Sequence, residues 1–349
     1  MKTKNIKEVK IKLQVIVFLI GLMYHFLMKF RHTVCVAPMM DITDKHCRFL
    51  LRLLAKDVFL YTEMLHASAI IYGDRDGLLG YNEIEHPIGL QIGGNDPNTL
   101  YKASKIASGY SYDEINLNCG CPSSRVLAGN FGVSLMQSPV LVADCIKAMQ
   151  DASGVAVTVK HRIGLDNNED YSFVRDFVGI LSENGCKLFF VHARKALSKM
   201  SPKKNRDVPP IKMDVVRRLK NDFPHCFFVA NGEINSIFGC ATILNKSNTS
   251  SLPPADGVML GRAVSKKPEL LTELQKNFLN EKWKPRSPEK LIVELESYFQ
   301  EQVAVGIDRR RIVRTWTGLF GNQKGSKRWR KSLADGVSPL TAYQNSFNF

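Results

Sequence analysis

The sequence predicts an α/β fold: a (β/α)8 TIM barrel followed by a small C-terminal all-helical domain. Three observations predict it. Apolar, β-prone runs recur eight times between Thr33 and Phe278. Amphipathic segments of helical period separate most of them. Polar or special residues stand just after the C-terminal ends of these runs, where such a barrel assembles its active site. Eight strands alternating with helices over about 250 residues is the arithmetic of that barrel. A doubly wound open sheet is the alternative, but no GxGxxG follows the first strand.

Residues 1–32 precede the barrel as an extension. Lys2, Lys4, Lys7, Lys10 and Lys12 lead into the apolar run Val15–Met28, then Lys29 and Arg31. A basic stretch before an apolar one resembles a signal or anchor. The run is short for a membrane span and contains His25. Three readings stay open: an organellar or secretory targeting segment, a helix lying on the domain, or an upstream start that is not used. A secretory route clashes with the cysteines. The eight are scattered, several inside apolar runs, and only Cys119 and Cys121 are closely spaced. No second Cys or His pair completes a zinc site beside them. We expect no metal and a reducing compartment, the cytoplasm or an organelle if the extension targets one. A membrane enters only if the extension is retained.

The barrel is expected over residues 33–284. Its strands are read at Val34–Ala37, Val58–Thr62, Ile88–Ile92, Glu114–Leu117, Val155–Lys160, Leu188–His192, Phe227–Asn231 and Gly257–Gly261. Helical patterns fall at Lys45–Ala55, Asn98–Ala107, Val140–Ala152, Tyr171–Glu183 and Met213–Asp222. The rim then carries Pro38, Met39, Met40 and Asp41, Glu63, Gln91, Asn116 to Cys121, Lys160 to Arg162, His192, Arg194, Asn231 to Glu233, and Gly261 with Arg262. Gly232, Gly261 and Arg262 follow the seventh and eighth strands, where this fold commonly binds phosphate. Their plainer reading is ordinary turn chemistry. The polar stretch Asn245–Pro254 reads as a surface loop inserted before the last strand.

The fourth strand runs into Asn116–Met136, rich in Gly, Asn and Cys, which reads as a long irregular loop. Long loops inside compact domains are usually functional or disordered, and the apolar end Phe131–Met136 can dock, which favours function. Cys121 stands between Gly120 and Pro122, so its thiol can be aimed outward. Cys119, next to the strand end, is expected to be packed.

Residues 285–349 are expected to form the helical domain, joined by a linker at Pro285–Pro288 and opening with a helix at Glu289–Val305. Asp308–Lys331 is strongly basic, and Trp316, Phe320 and Trp329 interleave with its cations. The whole chain carries a formal charge of +15 and a pI near 9.4, which calls for a polyanionic partner. Aromatics among Arg and Lys suit RNA, and equally suit a small helical core with its cations in water.

Taken together, a rim phosphate site and a lysine on a neighbouring strand suit a phosphorylated redox cofactor. Lys160 places a cation where a reduced flavin gains charge, and Gln91 can both donate to and accept from the ring edge. His192 could contact ring or phosphate. Each also has a plainer reading: a surface charge, a loop hydrogen-bonder, a satisfied rim histidine. Reducing an alkene by hydride requires a proton on the other carbon, and the Cys121 thiol is a competent donor. Arg162 and Arg194 could help hold phosphate, whereas His161 faces the other side of its strand.

The stretches Val36–Leu54, Tyr61–Met64, Glu85–Gly94, Asn116–Met136, Val157–Gly164, Val191–Ala196, Ser201–Pro210 and Gly257–Arg262 closely resemble the tRNA-dihydrouridine synthase family. The resemblance covers about Val34 to Ala334 and points to the A-type subgroup, which acts on uridines 20 and 20a of the tRNA D-loop. It implies FMN as cofactor, NADPH as reductant, and reduction of the uracil C5–C6 bond. Hydride would pass from flavin N5 to C6, and Cys121 would protonate C5. Pro38, Met39 and Met40 would line the flavin, Gln91 and Lys160 would hold its ring, and His192 would bind it. Asn231, Gly232, Glu233, Gly261 and Arg262 would cradle the phosphate. Asn118, Lys203, Arg206, Lys327 and Arg330 would contact tRNA. The target base must leave its stack to reach the flavin, so a whole tRNA surface is gripped. A clamp around one tRNA favours a monomer without a stable protein partner. The chain departs from the family pattern at Glu233, where the family has a glycine, in the Asn245–Pro254 insertion, and in the N-terminal extension. Two other readings remain: a flavin barrel acting on a free pyrimidine, and a tRNA-binding protein with weak catalysis.

Overall fold

A computed structural model describes residues 31–245 and 251–347. Residues 1–30 of the N-terminal extension, with the readings that rest on them, and the middle of the 245–254 insertion lie outside these residues. No described helix is long and apolar enough to cross a membrane.

Eight parallel strands follow one another: β1 (Val34–Val36), β2 (Leu60–His66), β3 (Ile88–Gly93), β4 (Glu114–Cys119), β5 (Ala156–Arg162), β6 (Leu188–His192), β7 (Phe227–Asn231) and β8 (Gly257–Leu260). Their order in the sheet is β1-β8-β7-β6-β5-β4-β3-β2. Val36 N donates to Phe59 O and Phe59 N to Val34 O, which joins β1 to the start of β2 and closes the barrel. Both faces of such strands are covered, so they read as nearly continuous apolar runs. That is why the sequence located them.

Inside the barrel, Cys35, Phe59, Tyr61, Phe190, Phe227 and Met259 form a packed plug. One acid is buried with them. Glu114 accepts from Tyr61 Oη and from Thr158 Oγ1 at 2.9 Å, and pairs with His32 Nε2 at 2.9 Å. Outside, the helices Pro97–Ala107, Pro139–Ser153 and Tyr171–Glu183 lay apolar stripes on the strands.

Two boundaries differ from expectation for physical reasons. The second strand runs to His66 and carries a register shift between Tyr61 and Met64. A bulge breaks the simple alternation that locates strands in sequence. Asn116–Met136 is not one irregular loop. Its first residues continue β4 to Cys119, Ser124–Ala128 makes a short helix, and Gly132–Gln137 makes a 3-10 turn. Phe131, Val133, Leu135 and Met136 are buried, as the apolar end of that segment required. Tertiary packing here overrides the weak local propensity of its glycines.

After a coil at 283–287, the helices Pro288–Ala304, Ser326–Ala334 and Pro339–Phe347 form a C-terminal helical region. It shares an apolar cluster with the first barrel helix, Lys45–Leu54, through Phe49, Leu50, Leu53 and Leu54. Trp316 Nε1 donates to His46 O at 2.8 Å, and Arg314 pairs with Asp44 at 3.2 Å. Trp316, Phe320 and Trp329 are all buried, while Arg309, Arg310, Arg311, Lys327, Arg328 and Arg330 are exposed. The aromatics therefore serve the core, and the cations cover the outer face. An interleaved sequence becomes two surfaces because helical period separates them.

Candidate active site

A cavity of about 1070 Å³ opens at the C-terminal ends of the strands. Pro38, Met39 and Met40 after β1 line it, with Gln91 from β3, Asn118 and Cys121 from β4 and its loop, Lys160 from β5 and His192 from β6. Asn231, Gly232 and Glu233 after β7, and Gly261 with Arg262 after β8, complete the wall, and Arg206 reaches it from the β6 side. Lys203, Lys327 and Arg330 are exposed and do not line it.

A hydrogen-bonded chain fixes the β3–β4 side. Gln91 Nε2 donates to Asn116 Oδ1 at 2.7 Å, and Asn118 Nδ2 donates to Gln91 Oε1 at 2.8 Å. Asn116 Nδ2 continues to Thr158 Oγ1 at 2.8 Å, and Thr62 Oγ1 accepts from Gln91 N at 3.0 Å. The Asn118 carboxamide oxygen then accepts from Gly120 N and Cys121 N, at 3.1 and 3.0 Å. Such an Asx turn bends the chain out of the strand and presents the next residue. Arg162 Nε donates to Gly120 O at 3.0 Å and holds the same turn from β5. Cys121 is partly exposed to the cavity, with Sγ 3.5 Å from Ser123 Oγ. Cys119 is fully buried in the outer core, and burial pushes its thiol well up, so it is inert.

On the β5–β7 side, Lys160 Nζ donates to Asn231 Oδ1 at 3.1 Å, and Asn231 Nδ2 donates to Met259 O at 2.7 Å. No carboxylate pairs with Lys160 among the described residues. Burial first, then Arg162, pushes its ammonium down to about 7, and Cys121 offsets this in part. An anion bound here would restore the charge. Burial, followed by Arg162, Lys160, Arg194 and Arg262, drives His192 well below its ordinary range, so it is a neutral hydrogen-bonding ring. His161, on the opposite face of β5, is buried against Phe177 and Phe189 and is pushed down to about 4, chiefly by burial. It is structural, as its position in the strand implied.

Gly232 adopts φ +127°, and a Cβ there would lie 2.7 Å from Ile211 Cδ1 and 3.2 Å from His192 Cδ2. Only glycine lets the backbone pass so close to the cavity wall. Arg262 Nη1 pairs with Asp207 at 2.8 Å, and the Nε of Arg206 is buried with no hydrogen-bond partner among the described residues. Buried orphan donors of this kind mark a place for an acceptor. A glycine cradle, a cation and an orphan guanidinium nitrogen fit a phosphate. The cavity size and the Gln91–Lys160 pair suit a flat heteroaromatic ring.

Arg194, Glu233 and Asn118 have partners that the sequence reading did not give them. Arg194 does not line the cavity: it is buried, donates to Pro209 O, and forms an ion pair with Glu233. Glu233 itself adopts φ +50°, a conformation that favours glycine, and turns its carboxylate toward Arg194. Asn118 spends its carboxamide on Gln91 and the Cys121 turn rather than projecting outward. Sequence reasoning missed Thr62, and it placed Asn116 and Arg162 on the rim without their part in the hydrogen-bonded frame. The available signal was polar side chains inside otherwise apolar strands, which must find partners when buried.

The dihydrouridine synthase (Dus) family profile matches residues 35–348. A Vibrio parahaemolyticus protein named tRNA-dihydrouridine(20/20a) synthase is 43% identical over 302 residues, 86% of this chain and 90% of its own. One of the same name from Xanthomonas campestris is 44% identical over 303 residues, 86% and 88% of the two chains. Another, from Escherichia coli K12, is 42% identical over 302 residues, 86% and 85%.

Proposed function

We propose that this chain, which belongs to the dihydrouridine synthase family, is an FMN-dependent oxidoreductase that reduces uridines 20 and 20a in the D-loop of tRNA. The observation that carries the reading is the thiol of Cys121, fixed by Asn118 at the edge of a cavity with an anion cradle and a buried lysine. FMN, reduced by NADPH, supplies the hydride that adds to C6 of the uracil.

Pro38, Met39 and Met40 line the flavin, Gln91 and Lys160 hold its ring, and His192 binds it as a neutral ring. Asn231 orients Lys160, and Gly232, Gly261 and Arg262 cradle the phosphate, with Glu233 withdrawn onto Arg194. Lys160 balances negative charge as it develops in the cavity. The Cys121 Sγ gives its proton to C5, and the Asn118 turn keeps the thiol at that position. Uridine reaches this depth only after leaving its stack, so the RNA must be gripped outside. Lys203 beside the cavity, and Lys327 and Arg330 on the helical region, form that grip, and Arg206 in the cavity wall turns its Nε to the cofactor's phosphate. The barrel at 33–284 carries the chemistry and 285–349 the clamp, in a monomer without a stable protein partner. Eight free cysteines accord with work in a reducing compartment.

The test separates flavin reduction from uridine reduction. In Cys121→Ala, NADPH is expected to bleach the flavin at the normal rate, while dihydrouridine formation falls by about 10²–10⁴. Normal dihydrouridine formation in that variant would remove Cys121 as the proton donor.

A further inference from the structure

The short helix Ser124–Ala128 carries Arg125 four residues beyond Cys121, on the lip of the same cavity. The segment between them is fixed at both ends. Val133 N donates to Cys121 O at 3.1 Å, and Phe131 N donates to Val126 O at 3.3 Å. Val126, Phe131 and Val133 are buried beneath it. Gly132, at φ +65°, packs so closely that a Cβ would lie 2.6 Å from Cys121 O and 2.3 Å from Val126 Cγ1. Asn95 Nδ2 ties the far end by donating to Gly129 O and Asn130 O, at 3.2 and 3.1 Å. Cys121 and Arg125 therefore share one tightly held stretch of backbone.

Arg125 is exposed, and its guanidinium makes no ion pair or hydrogen bond among the described residues. Two other arginines of the cavity differ: Arg262 is held by Asp207, and Arg162 by the carbonyls of Gly120, Lys195 and Asn205, while Arg206 has its free Nε buried in the cavity wall rather than exposed at the lip. Position also sets Arg125 apart. Gly232, Gly261 and Arg262 follow β7 and β8, whereas Arg125 follows β4, and β4 and β8 lie four strands apart in an eight-stranded ring. The cradle after β7 and β8 and the arginine after β4 therefore stand on opposite sides of the cavity mouth. An anion held by Arg125 belongs to a second reactant, on the side of the thiol.

Resting on the functional reading above, we infer that Arg125 binds a phosphodiester of the RNA next to the uridine presented to Cys121. It thereby favours a polynucleotide over a free nucleoside. A guanidinium suits this ligand, because its fork donates to two phosphate oxygens at once. Phosphate contacts of this kind set the register of a nucleic acid. Here the register is the depth at which the extruded base meets the thiol.

The test uses the flavin-loaded enzyme and its Arg125→Gln and Arg125→Lys variants, with tRNA lacking dihydrouridine. Dissociation constants are measured across a salt series, and NADPH-driven flavin bleaching is measured without RNA. Arg125→Gln is expected to weaken tRNA binding by about five- to twentyfold at low salt and to lower the slope of log K against log salt by about 0.7–0.9. Arg125→Lys is expected to keep the slope and part of the affinity. Flavin bleaching and FMN content are expected to be unchanged in both. Wild-type affinity and slope in Arg125→Gln would overturn the inference. Slowed bleaching with intact tRNA binding would also overturn it, and would assign the site to the dinucleotide reductant. A wild-type enzyme that neither binds nor reduces tRNA would overturn the functional reading along with it.

Discussion

The side-chain oxygen of Asn118 accepts hydrogen bonds from the backbone of both Gly120 and Cys121, so one strand residue shapes the turn that presents the thiol. Asn118→Ala leaves those two donors, and Gln91 Oε1, without their partner. Misplacing a reacting group by about 1 Å costs on the order of 10²-fold in rate. Asn118→Ala is expected to lower the single-turnover rate of uridine reduction by about that factor. Asn118→Asp, which keeps the acceptor, should recover part of it.

Lys160 makes the stability of the cofactor-free protein depend on pH. Its folded value is depressed to about 7 from the ordinary 10.5, so between these values the unfolded chain binds more protons than the native one. Stability therefore rises with pH across that window, by at most about 1.4 kcal/mol per pH unit from this group. Below about pH 7 the full cost of burying the ammonium is present. Urea unfolding of wild type and Lys160→Met at pH 7 and pH 9 checks this, and the variant should lose that part of the slope.

Glu233 places a carboxylate beside the proposed phosphate cradle, with Arg194 as counter-charge. The carboxylate is half-exposed, so removing the like charge is worth about 1 kcal/mol, roughly fivefold in affinity. Glu233→Gln is expected to tighten FMN binding by about that factor while leaving riboflavin, which lacks the phosphate, unchanged. Flavin fluorescence quenching measures both. Equal shifts for the two flavins would show that Glu233 acts on the ring or on folding instead.

Trp316 joins the helical region to the barrel, fully buried and bonded to His46 O. Trp316→Ala should cost about 3–5 kcal/mol in chemical denaturation. Trp316→Phe, which keeps most of the packing and removes one hydrogen bond to a carbonyl that also accepts within its helix, should cost about 0.5–1.5 kcal/mol.

Most of the frame was legible in the sequence because parallel strands covered on both faces leave apolar runs. Leu188–His192 and Phe227–Asn231 were read to the residue. The rim was legible too, since Gln91, Lys160 and His192 are polar residues at the ends of such runs. What escaped depends on contacts between distant segments. The pairing of Arg194 with Glu233 joins the β6 and β7 loops, and no local pattern announces it. The helix Ser124–Ala128 is held by Val126 and Phe131 packing below it, so propensity alone reads it as loop. Trp316 and Trp329 lie among cations in sequence and apart from them in space.

The most direct measurement incubates the full chain with FMN, NADPH and tRNA lacking dihydrouridine, then weighs the nuclease fragments. A gain of about two daltons per reduced base, confined to the D-loop fragment carrying positions 20 and 20a, is expected from saturation of the C5–C6 bond. That fragment left at its original mass, with the flavin bound and bleached by NADPH, would contradict the assignment of this cavity to tRNA uridine.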